Sequence, residues 1–217
     1  MKYDLVIFDL DGTLLNTLDD LAYAANTALA AFGFPRRSTE EVRTFIGNGV
    51  ARLIRRAVPE GTSDETVSEV LKRFKAIYTE NVNVHTVPYP GIPELLDSLR
   101  SAGVKCAVNS NKVDNAVRLL CEAHFTGRLD LALGEREGIP KKPAPDGAQY
   151  IMNTLSAAPE RTLYVGDGDA DLLTAENAGI DSAWVSWGYR RREELEGLDI
   201  PRSFADVDSL SDFILGA

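Results

Sequence analysis

Short apolar runs recur along the chain, each bounded by glycine, proline or charged residues. Continuous apolar character is typical of strands that are covered on both faces, whereas apolar residues at a spacing of three and four are typical of helices. The first pattern predicts strands at 4–8, 105–109, 129–133, 162–165 and 183–186, and the second predicts helices at 91–102, 113–123, 145–155 and 170–178. This alternation predicts an α/β fold with a doubly wound parallel sheet, a Rossmann-like core.

A long helical stretch separates the first two predicted strands. Ser38 with Glu41, and Thr62 with Glu65, are spaced as capping boxes ahead of apolar-periodic runs. We therefore predict that residues 1–15 and 87–217 form the α/β core and that residues 16–86 form an inserted all-helical domain. A contiguous helical layer that never moves would produce the same pattern, and the sequence leaves both arrangements open.

Composition narrows the classes of function. The 217 residues carry a net charge of −10, which argues against general nucleic-acid binding and against adhesion to anionic membranes. No apolar stretch of the sequence is long enough to span a bilayer, and because a strand is predicted from residue 4 we expect no signal peptide. Cys106 and Cys121 lie in apolar runs and are expected to be buried thiols. We expect a cytoplasmic protein, monomer or homodimer, without nucleic-acid or membrane partners.

Polar residues cluster where the predicted strands end. Asp9 and Asp11 follow the first strand, Ser110 follows the second, and Asp167 follows the fourth. In open α/β sheets, ligands bind beyond the carboxyl ends of the strands, so we expect these side chains to meet at one edge. Buried carboxylates are costly unless metal, hydrogen bonds or chemistry requires them, which indicates a functional site.

Four strings taken together carry a family resemblance: residues 4–13 (DLVIFDLDGT), 108–112 (VNSNK), 141–146 (KKPAPD) and 165–171 (VGDGDAD). In this order and spacing the chain resembles the haloacid-dehalogenase-like hydrolases, nearest to the phosphoglycolate phosphatase branch. The resemblance implies a helical cap for residues 16–86. It also implies a magnesium-dependent phosphatase that acts on a small phosphorylated metabolite through an aspartyl-phosphate, with 2-phosphoglycolate as the leading substrate.

The resemblance also implies individual roles. Asp9 would be the nucleophile, Asp11 the general acid and base, and Lys142 the cation that neutralises the phosphate. The implied Mg²⁺ ligands are the Asp9 carboxylate, the Asp11 backbone carbonyl and the Asp167 carboxylate, with Asp171 reaching the metal through water. The phosphate-binding set is Asp9, Leu10, Asp11, Ser110, Asn111 and Lys142.

Several interpretations stay open. Lys141 could replace Lys142 through a shift of one residue. Gly47-Asn48-Gly49, followed by Arg52 on the next helix, is either a substrate-specificity loop or a simple helix break, and each nearby arginine could be a solvated surface residue. A phosphosugar mutase, a pyrophosphatase of the same superfamily and a catalytically silent binding protein are the alternative functions.

Overall fold

The structure is a computed structural model, which describes residues 2–47 and 49–216. In chain order its strands and helices are β1 (Leu5–Phe8), β2 (Leu15–Asn16), α1 (Leu18–Ala30), α2 (Thr39–Phe45), α3 (Val50–Ala57), α4 (Asp64–Glu80), β3 (Val87–Pro88), α5 (Ile92–Ser101), β4 (Lys105–Val113), α6 (Asp114–Phe125), β5 (Leu131–Glu135), α7 (Asp146–Leu155), β6 (Thr162–Gly166), α8 (Asp169–Ala178), β7 (Asp181–Val185), β8 (Ser203–Phe204) and α9 (Val207–Leu215).

Within the described residues, six strands form one parallel sheet in the order β5-β4-β1-β6-β7-β8. In register, Phe8 pairs with Val108 on one side and with Val165 on the other. Alternate residues of β1 enter different apolar clusters, Val6 and Phe8 on one face and Leu5 and Ile7 on the other. The sheet is therefore covered on both faces, which confirms the predicted doubly wound α/β core.

The central strands also show where the site must lie. Because β1, β4 and β6 are parallel neighbours in register, the residues that follow Phe8, Val108 and Val165 emerge at the same edge. Strand β4 continues to Val113 with a shift in register after Asn109. The sequence pattern predicted that Ser110 follows this strand. In the structure Ser110 lies within its irregular end instead.

Residues 17–86, which we call the helical segment, contain helices α1 to α4. Strands β2 and β3 pair antiparallel at its two ends, Leu15 with Pro88 and Asn16 with Val87. This small ribbon was not predicted, because two-residue strands carry no periodicity. It brings the two chain crossings side by side, so the helical segment joins the sheet through one narrow connection.

One of the two predicted capping boxes is confirmed. Ser38 caps α2, with its hydroxyl accepting from the Glu41 amide and the Glu41 carboxylate accepting from the Ser38 amide. The box predicted for Thr62 and Glu65 is wrong, because Ser63 is the N-cap of α4 and the Thr62 hydroxyl donates to the Pro59 carbonyl. Both positions fit the Ser/Thr preference, and the path of the preceding turn selects between them.

The remaining differences concern the ends of the sheet. The strands predicted at 129–133 and 183–186 lie at Leu131–Glu135 and Asp181–Val185, and β8 and α9 were not predicted. β8 is an edge strand of two residues that pairs with β7. Its formation depends on that partner, and no local pattern reveals it.

Candidate active site

Three aspartates meet beyond the carboxyl ends of β1 and β6. Asp9, Asp167 and Asp171 each offer a carboxylate oxygen, and these oxygens lie within 4.8 Å of one another. The Lys142 ammonium lies 2.8 Å from Asp9 Oδ1 and 2.6 Å from Asp171 Oδ1, and its side chain is 4% exposed. The structure therefore brings the predicted cation and the predicted acids into one buried cluster.

Glycines allow the chain to close around these carboxylates. A Cβ atom at Gly12 would lie 2.5 Å from Asp167 Oδ2, and one at Gly188 would lie 2.2 Å from Asp167 Cβ. Gly12 also has a φ of +93°, a conformation that other residues rarely adopt. The glycine in the Asp-x-Asp-Gly string thus makes room for an acid that lies more than 150 positions later in the chain.

The second string, residues 108–112, supplies two of the predicted phosphate-binding residues, Ser110 and Asn111. Ser110 is buried and lines the cavity beside Asp9. Asn111 lies in the same strand rather than at a helix start, since α6 begins at Asp114. Its side chain accepts from the Lys142 amide at 2.9 Å and donates to the Lys142 carbonyl at 3.1 Å. Asn111 therefore positions the loop that carries Lys142.

Leu10 has a fully buried side chain. Its carbonyl accepts the amides of Leu14 and Leu15 at 3.1 and 2.9 Å, which closes the turn after β1. Any contact of Leu10 with phosphate would have to come from its backbone.

A cavity of about 50 Å³ lies between the aspartates and the helical segment. The segment contributes Leu21, Ile46, Gly47, Gly49, Val50 and Leu53 to its lining. Asn48 lies outside the described residues. Arg52 is exposed and lines a neighbouring groove with Arg56, Asp169 and Arg190 instead of the cavity itself.

The chain is similar in sequence to known hydrolases. Residues 6–185 match the sequence profile of the haloacid dehalogenase-like hydrolases. The chain is 36% identical over 185 residues to a phosphoglycolate phosphatase of Aquifex aeolicus, covering 85% of each protein. It is 34% identical over 217 residues to one of Vibrio parahaemolyticus, covering 97% of this chain and 94% of the relative.

The chain is also similar in structure to solved members of this group of proteins. A provisionally named phosphoglycolate phosphatase from Lactobacillus delbrueckii subsp. bulgaricus superposes with a TM-score of 0.95 at 34% identity, covering 100% of both chains. CbbY from Rhodobacter sphaeroides, solved in complex with phosphate, superposes with a TM-score of 0.70 at 26% identity, covering 93% of each.

The chain belongs to the haloacid dehalogenase-like hydrolases. Its similarities place it in the phosphoglycolate phosphatase branch of that family and identify it as an enzyme of the phosphoric monoester hydrolase class.

Burial and mutual repulsion set the protonation of the acids in this hydrolase. Burial, followed by repulsion from Asp171, raises the pKa of Asp9 well above its ordinary value. The same two causes raise the pKa of Asp167 to about 7. For Lys142, the charges of Asp171 and Asp9 outweigh the opposing effect of burial and raise the pKa of the ammonium. Asp9 and Asp167 therefore hold their protons more tightly than free aspartates do, because the one ammonium of Lys142 does not offset their burial and their repulsion from Asp171.

The donor set of the hydrolase fits a hard divalent cation. The three clustered groups are all carboxylates, and oxygen is the ligand that Mg²⁺ prefers in proteins. Asp171 already accepts the Gly168 amide at 3.0 Å in addition to the Lys142 ammonium. Asp167 accepts the Tyr189 amide at 2.6 Å through Oδ2, so each acid is held in place by hydrogen bonds.

Lys112 is the site residue that sequence reasoning missed. Its ammonium lies 2.7 Å from Asp11 Oδ1, which also accepts the Thr17 hydroxyl at 2.7 Å. The side chain is 3% exposed, and its nitrogen lies 4.8 Å from the centre of the Tyr78 ring in the helical segment. The sequence offered one signal, a lysine two positions after Ser110 at the functional edge, but it indicated neither the burial of this lysine nor its partner Asp11.

Polar contacts connect the helical segment to the loop after β7. The Arg190 guanidinium donates to the Thr44 and Ile46 carbonyls and lies 3.6 Å from Asp169 Oδ1. Arg43 donates to the Tyr189 carbonyl and pairs with Glu194 at 3.0 Å. These contacts hold the segment over the cavity.

No helix within residues 2–47 and 49–216 combines the length and apolar character needed to cross a bilayer.

Proposed function

We propose that this hydrolase is a magnesium-dependent phosphatase that cleaves small phosphate monoesters through an aspartyl-phosphate on Asp9. The observation that carries the proposal is the position of Lys142, whose ammonium lies between Asp9 and Asp171. A phosphate monoester dianion repels an approaching carboxylate, and a buried cation at the nucleophile reduces this repulsion.

In the first step, Asp9 attacks phosphorus and the bond from phosphorus to the ester oxygen breaks. The leaving oxygen takes a proton from Asp11, two residues along the chain. In the second step, Asp11 accepts a proton from water, whose oxygen attacks the aspartyl-phosphate and releases inorganic phosphate and the Asp9 carboxylate. Ser110 and the backbone beside Leu10 and Asn111 would hold the phosphoryl oxygens.

Asp9, the Asp11 carbonyl and Asp167 would hold Mg²⁺, with Asp171 acting through water. When bound, the ion supplies positive charge that offsets the excess of carboxylates and orients the phosphoryl group. The all-oxygen donor set supports this assignment. The raised pKa values of Asp9 and Asp167 support it too, because they mean that the ionised carboxylates are unfavourable without a cation, and a divalent cation would stabilise them.

The helical segment would act as a cap that admits the substrate and then excludes water. The small cavity favours a small substrate, and relatives named phosphoglycolate phosphatase support 2-phosphoglycolate. Gly47 and Gly49 line the cavity and would shape its entrance, and Arg52 would act at the rim. The free buried thiols of Cys106 and Cys121 favour a cytoplasmic enzyme, which we expect to be a monomer or homodimer.

The test measures phosphate release from 2-phosphoglycolate, an aryl phosphate, a sugar phosphate and pyrophosphate, in Mg²⁺ and in excess chelator. We expect Mg²⁺-dependent turnover of small monoesters, and a loss of at least about 10³-fold in Asp9→Asn because the nucleophile is removed. The Asp9→Asn protein should keep its melting temperature, since one repelling carboxylate disappears. Near-normal turnover by folded Asp9→Asn, or full activity in chelator, would refute the proposal.

A further inference from the structure

A buried phenol lies beside the ammonium of Lys112. Tyr78 is 6% exposed, and within residues 2–47 and 49–216 no group accepts the proton of its hydroxyl. Buried hydroxyls nearly always have a partner, so such a group needs an explanation. Tyr78 belongs to α4 of the helical segment, whereas Lys112 belongs to β4 of the core, so the two meet only where segment and core face each other.

The Lys112 ammonium has more N–H groups than its hydrogen bond to Asp11 uses. An ammonium carries three N–H groups, and the hydrogen bond to Asp11 uses one of them. The Tyr78 hydroxyl is a second hydrogen-bonding neighbour of this ammonium, which leaves one of its three N–H groups for a further partner. The Lys112 ammonium and the Tyr78 hydroxyl, which belong to different elements, thus each keep a hydrogen-bond donor for a further group next to the proposed general acid.

We propose that Lys112 and Tyr78 form a carboxylate clamp, in which the Lys112 ammonium and the Tyr78 hydroxyl bind the carboxylate of a 2-phosphoryloxy acid while Asp11 serves its ester oxygen. The clamp rests on the proposed phosphatase function and names the substrate class: phosphate monoesters with a carboxylate on the carbon that bears the ester oxygen.

The spacing of the groups matches this substrate. In 2-phosphoglycolate one methylene carbon separates the ester oxygen from the carboxylate carbon. A cation that binds the carboxylate must therefore lie next to the group that protonates the ester oxygen, and Lys112 lies 2.7 Å from Asp11 Oδ1. Lys112 also lines the cavity, together with Asp9, Asp11 and Ser110.

The other cations around the cavity either pair with other groups or lie outside it. Lys142 is paired with both Asp9 and Asp171, and Arg190 is bonded to backbone carbonyls of the helical segment and to Asp169. Arg52 is exposed and faces the neighbouring groove. Lys112 is the buried lysine on the side of Asp11, where the leaving group must lie.

The clamp has a conformational consequence. Tyr78 can contribute its hydroxyl only while the helical segment covers the site, so a bound carboxylate would favour the closed arrangement. Substrates without the carboxylate would lack this contribution, which links selection of the substrate to closure.

The experiment compares kcat/KM for 2-phosphoglycolate with that for 2-hydroxyethyl phosphate, in which CH2OH replaces the carboxylate. The wild type should prefer the carboxylate. Lys112→Met should reduce this preference about 10- to 100-fold, and Tyr78→Phe about tenfold, as expected for lost hydrogen bonds to a charged group. Tyr78→Phe removes a hydroxyl whose proton has no acceptor among the described residues and keeps the ring over Lys112, so its melting temperature should fall little. Tyr150→Phe makes the same change at an exposed site and serves as the matched control.

The outcomes separate this inference from the proposed function. Phosphate release from neither ester by the wild type would defeat the phosphatase proposal. Equal wild-type kcat/KM for both esters, or equal losses on both in Tyr78→Phe and Lys112→Met, would overturn the clamp and leave the phosphatase standing. A loss of preference in Arg52→Ala without one in Tyr78→Phe would also overturn it and assign the carboxylate to the rim. The Tyr78→Phe and wild-type measurements remain decisive if Lys112→Met does not fold.

Discussion

The carboxyl edge of the sheet and the helical segment that faces it contain opposite kinds of interaction. At the sheet edge, charges are buried and paired at short distance, as in Lys142 with Asp9 and Asp171. The segment presents mainly apolar side chains to the cavity, and of the two ion pairs that join it to the core within the described residues, one is exposed. In that pair, Arg191 with Glu40, the side chains are 65% and 57% exposed.

The two kinds of interaction suit two different tasks, because the sheet edge holds the proposed reacting groups and the helical segment lies over the cavity that leads to them. Removing one partner of a buried ion pair is costly because it leaves a desolvated charge, whereas exposed pairs contribute little and are screened by salt. The reacting groups are therefore held rigidly by the core. The exposed pair of Arg191 with Glu40 can break at small cost, whereas Arg43 and Arg190, which also join segment and core, are only 11% and 10% exposed.

The largest effect is expected from breaking the buried pairs. Lys142→Met leaves Asp9 and Asp171 without their cation and should lower the free energy of unfolding by about 3–5 kcal/mol in chelator. It should also lower kcat/KM at least about 100-fold, because charge stabilisation at the phosphoryl group is lost. Denaturant unfolding and phosphate release measure the two effects.

Lys141→Met is the matched control. Lys141 is 41% exposed and pairs with Glu135 at 2.8 Å, so its loss should cost less than about 1 kcal/mol. Similar effects of the two substitutions would contradict the assignment of the phosphate-neutralising role to Lys142 rather than to its neighbour.

A smaller change in stability should come from pH and from Mg²⁺, both of which act on Asp167 at the same sheet edge. Burial and Asp171 raise the pKa of Asp167 from its usual 3.8 to about 7, so the folded protein holds this proton more tightly than the unfolded chain. The contribution of Asp167 to stability is thus present at low pH and is lost as pH rises from about 4 to 7. Mg²⁺ competes with the proton, and at about 100 times its dissociation constant should raise the melting temperature by about 5–10 °C at pH 7.5.

The same thermal scans at pH 5.5 should show a smaller Mg²⁺ shift, because more of Asp167 is protonated. Asp167→Asn should remove most of the shift at both pH values. A Mg²⁺ shift that does not change with pH, or that survives in Asp167→Asn, would place the metal elsewhere.

The smallest effect is expected where the segment meets the core. Glu40 accepts from Arg43 at 3.1 Å and from Arg191 at 2.8 Å, both on exposed surface. Glu40→Gln should change stability by less than about 1 kcal/mol and KM by less than about fivefold. Raising the salt concentration should shift the KM of the wild type more than that of Glu40→Gln. A KM change of tens of fold would show that the segment is held as rigidly as the core.

Much of the core could be predicted because its signals are local. The apolar runs before Asp9 and Asp167 indicated buried strands, and parallel strands place their carboxyl ends at one edge, so the meeting of these acids followed from topology. The roles of Asn111 and Lys112 could not be obtained this way. The backbone near Asn111 was expected to bind phosphate, which stays a prediction, and no pattern in the sequence indicated that its side chain contacts the loop of Lys142, a residue 31 positions away.

The sequence by itself determined the α/β class and the inserted helical stretch, and it predicted that Asp9 and Asp167 meet at one edge of the sheet, while it left the choice between Lys141 and Lys142 open. These properties depend on periodicity, turn chemistry and the cost of burying charge, which nearby residues reveal. Only the tertiary structure decided that Lys112 pairs with Asp11, that Tyr78 lies over Lys112, and that Arg52 stays outside the cavity. Each of these depends on the packing of the helical segment against the sheet edge. Contacts between residues far apart in the chain are set by that packing, and no short stretch of sequence encodes it.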